Sequence, residues 1–167
     1  MALFLAVSIV IAGFLLPQEY TVTRELVIRA PANVIHQQVE NMDSWKQWTT
    51  WNEVAPPAGS SPVQMQSGVG SGRYLSGTSG SGWFVITNNS VVDGFEYAIY
   101  SDDGDKSLAI VSFLDLGGET KVNWTVRGRV KKPPVLAPYI ALSKDFTLGS
   151  SLNQSLNNLK KIIEQAN

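Results

Sequence analysis

The chain has 167 residues, of which 13 are basic and 14 acidic, giving a formal net charge of -1, with one histidine and no cysteine. The missing thiols exclude disulfides, thiolate metal sites and a cysteine nucleophile, and a lone histidine excludes a multi-histidine metal centre. A near-zero charge without a long run of either sign argues against a nucleic-acid partner, and the length suits one domain of roughly 150 residues with an extension.

The extension is N-terminal. The stretch MALFLAVSIVIAGFLL carries no charge and then meets Pro17, Gln18 and Glu19. As a helix rising about 1.5 Å per residue it would reach about 24 Å, short of a hydrocarbon core of roughly 30 Å unless the start is truncated or the bilayer thins. No basic segment precedes the run and no convincing small-x-small cleavage site follows it, which argues against the rival reading of a signal peptide; a buried core helix is the remaining alternative. The expectation is an uncleaved single-pass membrane anchor over residues 1–17 and a folded domain over 18–167. Only Arg24 and Arg29 lie close to the run, so topology stays open, with a periplasmic, extracytoplasmic domain as the working assignment. Ala6, Ser8, Ala12 and Gly13 would let another helix approach closely, which makes other membrane-protein subunits candidate partners.

Next, YTVTRELVIR places Val22, Leu26 and Ile28 on one face, strand alternation interrupted only by Arg24. APANVIHQQVENM follows, with Pro31 at a helix start and Ile35, Val39 and Met42 at helical spacing. Asp43 or Ser44 can cap a second short helix, which carries Trp45, Trp48 and Trp51 and ends before Pro56-Pro57 and the loop AGSSPVQMQSG. Five short strands come next: GRYLSG, GWFVITNNS, FEYAIYS, KSLAIVSFLDL and ETKVNWTVRGRV, separated by glycine- and aspartate-rich turns. In the last of them Val122, Trp124 and Val126 share the core face. Beyond Lys131-Lys132-Pro133-Pro134, leucines and isoleucines from Leu148 to Ile163 recur at steps of three and four, predicting one long amphipathic helix in which Gly149 permits close packing or a bend.

This order of elements, with the residues at its joints, resembles the START-like superfamily, specifically the membrane-anchored SRPBCC, or polyketide cyclase/dehydrase and lipid transport, group. The pieces that carry the resemblance are LLPQEYTVTREL, IRAPANVI, SWKQWTTW, SGVGSGRY, TKVNWTVRG and FTLGSSLNQSLNNLKKIIE, which together cover nearly the whole chain. The resemblance implies an α+β helix-grip fold, a curved antiparallel sheet around the C-terminal helix with an apolar cavity between them. It carries no fixed catalytic motif. His36 stands where members of the group tend to have an aromatic residue, and TTW and GTSGSG depart from their more acidic or proline-rich character.

His36 is the one side chain with an ordinary pKa near neutrality, but it sits at the edge of a buried stripe, where a packing role is the expectation. Asp102, Asp103 and Asp105 lack the alternating ligands and distal glutamate of a calcium loop and read as a hairpin turn. The tryptophans would plug the open end of the grip, with Trp48 a candidate to reach the cavity. Alternation and grip geometry nominate further cavity residues: Trp83 or Phe84, Tyr97, Ile99, Phe113, Trp124, and Tyr139, Phe146 and Leu152 on the last helix. The expected function is membrane-tethered, non-catalytic binding of an apolar small molecule or lipid, without a cofactor or metal. An accessory subunit of a membrane complex and a cyclase/dehydrase-like enzyme are the alternatives.

Overall fold

The computed structural model describes residues 1–60, 68–131 and 133–166. Part of the loop expected after Pro56-Pro57, and Lys132, lie outside the described residues, as do the side chains of several positions in the first helix, Ala6 among them. In chain order the elements are α1 (Ala2–Leu15), β1 (Glu19–Ile28), α2 (Ala32–Glu40), a 3-10 turn (Met42–Ser44), α3 (Trp45–Trp48), β2 (Asn52–Glu53), β3 (Gly72–Gly77), β4 (Gly80–Ser90), β5 (Gly94–Ser101), β6 (Lys106–Asp115), β7 (Thr120–Arg129) and α4 (Ala137–Ala166). The strands form one antiparallel sheet in the order β1-β7-β6-β5-β4-β3-β2. The five-strand meander and the preceding first strand are as expected, whereas β2 is a two-residue edge strand that no alternation pattern announces.

α1 covers the stretch expected as an anchor and is shorter than a full span. Its 14 residues correspond to about 21 Å at 1.5 Å per residue. Leu16 is already extended, as the residue before a proline tends to be, and this ends the helix. Among the described residues, no helix is long and apolar enough to cross a membrane. α1 nevertheless exposes Phe4, Val7, Val10, Ile11, Phe14 and Leu15. Gly13 is buried: a Cβ there would lie 2.4 Å from the carbonyl oxygen of Val135, so glycine is what lets α1 sit against the segment leading into α4.

The core forms between the concave sheet face and α4. Val22, Ile28, Val122, Trp124 and Val126 from β1 and β7 meet Leu148, Leu152, Leu156, Leu159 and Ile163 of α4. Burial of side chains of this size stabilises by roughly 1.5–3 kcal/mol each. Arg24, which broke the alternation of β1, has a role in this packing. Its guanidinium donates to the Asp145 carboxylate and carbonyl oxygen, each at 2.9 Å, and occupies the space where a Cβ on Gly149 would fall. The close passage expected at Gly149 is therefore the point where β1 is tied to α4.

All three tryptophans of SWKQWTTW are buried. Trp45 meets Tyr97 with ring centroids 5.1 Å apart, Trp48 meets Trp124 at 5.6 Å, and Trp51 bridges Phe84 at 5.5 Å and Trp124 at 5.7 Å. The Trp45 indole N–H donates to the carbonyl of Val39 at 2.8 Å, locking α3 against α2. Ser44 stands at the N-cap of α3 but makes no side-chain capping bond, while the 3-10 turn before it is capped by Asn41, whose side-chain oxygen accepts from the Asp43 N–H. The Ser44 hydroxyl instead donates to the carbonyls of Gln38 and Asn41.

Candidate functional site: a small cavity at one end of the grip

Aromatic packing fills the centre of the grip but stops short at one end. There the β3–β4 and β5–β6 turns and the start of β1 meet the first half of α4 around a cavity of about 250 Å³. Trp51, Phe84, Ile99, Val126 and Leu148 supply its apolar wall. Its rim is polar: Tyr20, Ser79, Ser81, Ser101, Ser107, Asp102, Asp103 and Lys144.

Hydrogen bonds hold the rim in place. Tyr20 and Ser107 share one at 2.7 Å across the strand ends, and the Trp51 indole N–H donates to the Ser79 hydroxyl at 3.3 Å. The Tyr74 hydroxyl donates to Asp102 at 2.5 Å, and the Asp102 N–H donates to the carbonyl of Ser81 at 3.1 Å, pinning one turn to the other. Burial pushes the Tyr20 pKa up; the Ser107 hydrogen bond opposes this, and the nearby charges of Asp105 and Asp103 add to it. The Tyr74 pKa is raised chiefly by its hydrogen bond to Asp102. Both phenols stay neutral at ordinary pH. Lys144 lies over the Tyr20 ring, 5.9 Å from its centroid, leaving the rim with both signs of charge.

The sequence-nominated residues are dispersed. Ile99 borders the cavity. Trp48, Tyr97, Trp124 and Leu152 are fully buried in the packed core. Trp83 points to the other face of β4, lining an open groove with Tyr74, Arg73 and Pro56, while its alternative Phe84 takes the cavity side. Phe113 is partly buried, edge-on to His36 at 5.7 Å. Tyr139 is half-buried on α4, and Phe146 is 83% exposed. The rim itself escaped the sequence reading, because its serines and aspartates lie in stretches that carry only a turn signal.

His36 is buried on α2, with Nδ1 3.7 Å from a Glu40 carboxylate oxygen and Nε2 without a hydrogen-bond partner, and it does not border the cavity. Among the described residues, no group of three or more histidine, aspartate or glutamate side chains is placed to hold a metal ion.

The chain matches no model of a known protein family and no curated protein. Solved structures do resemble it. A START superfamily protein from Mycobacterium smegmatis superposes with a TM-score of 0.63 at 17% identity, covering 89% of this chain and 99% of its own. The fold is that of the START superfamily. A Staphylococcus aureus protein of unknown function shares this START-like architecture at a TM-score of 0.64 and 12% identity, covering 89% of this chain and 95% of its own. A Mesorhizobium loti protein does so at 0.60 and 13%, covering 88% and 98%. In this chain buried tryptophans occupy the middle of the START-like grip, between sheet and helix.

Proposed function

We propose that the domain binds a compact molecule with an apolar body and a polar end, without turning it over, and that α1 holds the domain at a membrane. The observation that carries the binding reading is the cavity at the end of the grip, with its aromatic and aliphatic wall and hydrogen-bonding rim. At about 250 Å³ it falls just below the roughly 300–1,000 Å³ of drug-sized pockets, so it suits a small ligand or one end of a lipid rather than a whole diacyl lipid. The rim pairs two carboxylates with hydroxyls already engaged in structural bonds, an arrangement better suited to holding a polar group than to relaying protons.

The membrane reading is supported by α1, whose sequence has no charged side chain and whose described residues Phe4, Val7, Val10, Ile11, Phe14 and Leu15 are exposed. A helix apolar all round needs an apolar surrounding. The small-residue face that could have met a partner helix is partly used within the domain, since Gly13 packs on Val135.

The test is purification in mild detergent, mass spectrometry of co-purifying small molecules, and the same for Leu148→Trp, which fills the cavity from α4. A stoichiometric amphiphile lost from Leu148→Trp is expected. Its retention by that variant, or stoichiometric protein subunits with no small molecule, would overturn the binding reading.

A further inference from the structure

We infer that the ligand of the cavity is a zwitterion, an apolar body whose head carries both an ammonium and a carboxylate, as in a hydrophobic amino acid; this rests on the binding reading above. The rim holds both signs of charge and does not pair them. Lys144, half-buried on α4, supplies the positive side, while Asp102 and Asp103 of the β5–β6 turn supply the negative side. Among the described residues none of these three forms an ion pair. Asp145, next to Lys144 in sequence, is tied to Arg24 instead, and Lys106, close to the aspartates in sequence, lies over the Tyr100 ring at 5.1 Å. A ligand with a single charge would leave the opposite sign at the mouth uncompensated as water is displaced, whereas a zwitterion answers both.

Each side has hydrogen-bonding company suited to one end of such a head. Beside Lys144, the Tyr20 and Ser107 hydroxyls share a single bond. Two hydroxyls have two hydrogens, so whichever of them donates, one O–H is left without an acceptor among the described residues and can serve a ligand oxygen. Ser107 is only 5% exposed, which makes an acceptor inside the cavity the natural partner. The pair has room because β7 carries glycine beneath it: a Cβ on Gly128 would lie 2.5 Å from the Ser107 oxygen and 2.8 Å from the Tyr20 oxygen. On the negative side Asp102 accepts from Tyr74, and Asp103 accepts from the Asp105 N–H through one oxygen, which leaves its other oxygen for an ammonium. The charges of Asp105 and Asp103 are felt at the Tyr20 hydroxyl, so the hydroxyl pair alone would not hold an anion, and Lys144 is what makes that corner a carboxylate site. Below the rim, Trp51, Phe84, Ile99, Val126 and Leu148 enclose a space of about 250 Å³, sized for a ring or a short branched chain.

Equilibrium dialysis of the full-length protein in dodecyl maltoside against L-phenylalanine, phenethylamine, hydrocinnamate and hydrocinnamyl alcohol tests this, because these probes share a phenyl ring on a short chain and differ in the charge of the head. L-Phenylalanine is expected to bind about fivefold or more tighter than either singly charged probe. Lys144→Gln should erase its advantage over phenethylamine. Asp103→Asn, which keeps an acceptor oxygen for the Asp105 N–H, should erase its advantage over hydrocinnamate. Far-ultraviolet circular dichroism checks that both variants fold. Phenethylamine or hydrocinnamate binding as tightly as L-phenylalanine would overturn the inference, and so would an advantage that survives both substitutions. If all the probes, the alcohol included, bind alike and Leu148→Trp abolishes binding, the cavity reading stands and the zwitterion falls. If L-phenylalanine binds Leu148→Trp as well as it binds the wild type, the site lies outside the cavity and both readings fail.

Discussion

Replacing Trp124 by alanine tests whether the centre of the grip is solid. The indole is enclosed by Trp48 and Trp51, and its N–H donates to the hydroxyl of the buried Tyr97 at 3.0 Å. Deleting a large buried aromatic costs about 3–5 kcal/mol, and orphaning a buried hydroxyl adds about 1–3 kcal/mol, so the expected loss is roughly 4–8 kcal/mol. For a chain of this length that corresponds to a fall of roughly 10–30 °C in Tm. Trp124→Phe keeps a ring but removes the donor, and should cost about 1–3 kcal/mol. The assay is urea unfolding in detergent followed by far-ultraviolet circular dichroism, since removing a tryptophan alters the fluorescence signal itself. A loss under about 1 kcal/mol for Trp124→Ala would mean that the indole borders open space, and that the cavity reaches the middle of the grip.

Other perturbations probe the joints. His36→Phe should change stability by less than about 1 kcal/mol or raise it, because it removes an unpartnered buried nitrogen and keeps an aromatic contact with Phe113; loss of the co-purifying ligand with folding preserved would give His36 a role in function. Gly149→Ala should cost about 1–3 kcal/mol by displacing the Arg24 guanidinium, yet become neutral or stabilising in an Arg24→Ala background, where only the helix preference for alanine remains; equal costs in both backgrounds would refute the link. Burial raises the pKa of both Tyr20 and Tyr97 above the unfolded value, so their contribution is full below about pH 10 and is lost as the pH rises beyond it. Urea midpoints should therefore be flat from about pH 8 and fall above about pH 10, less steeply in Tyr20→Phe; a wild-type midpoint constant through that range would contradict the assignment.

The fold was legible in the sequence because its signals are periodic. Alternation marked the strands, the three-four spacing from Leu148 to Ile163 marked α4, and the glycine-bearing turns separated five successive strands. The one irregularity in β1, Arg24, was legible as a break but not as a contact, since its partner Asp145 is 121 residues away. The cavity was less legible for a related reason. Alternation shows which side chains point inward, but not which inward side chains leave space. Trp48, Tyr97 and Trp124 do point inward, and they fill the grip by packing on one another and on Trp45. Among the described residues the grip leaves space where the strands end, and there the polar part of the lining comes largely from turns with no periodicity to read.

That packing bears on what such a domain can hold. A curved sheet around a helix leaves an interior whose size is set by the side chains projecting into it, and here α3 delivers tryptophans from one element while β7 supplies another from the facing strand. Their mutual contacts, with Phe84 stacked on Tyr97 at 5.7 Å, consume the middle of the interior. Trp51 stands at the boundary, with one part of its ring against Trp124 and Phe84 and another part on the cavity. Its indole N–H is tied to Ser79 in the rim, so a ligand that moved the rim would also move the outermost ring of the core. The same residue would thus limit how deep a ligand reaches and sense its arrival, which makes Trp51 the position where ligand size and core stability are set against each other.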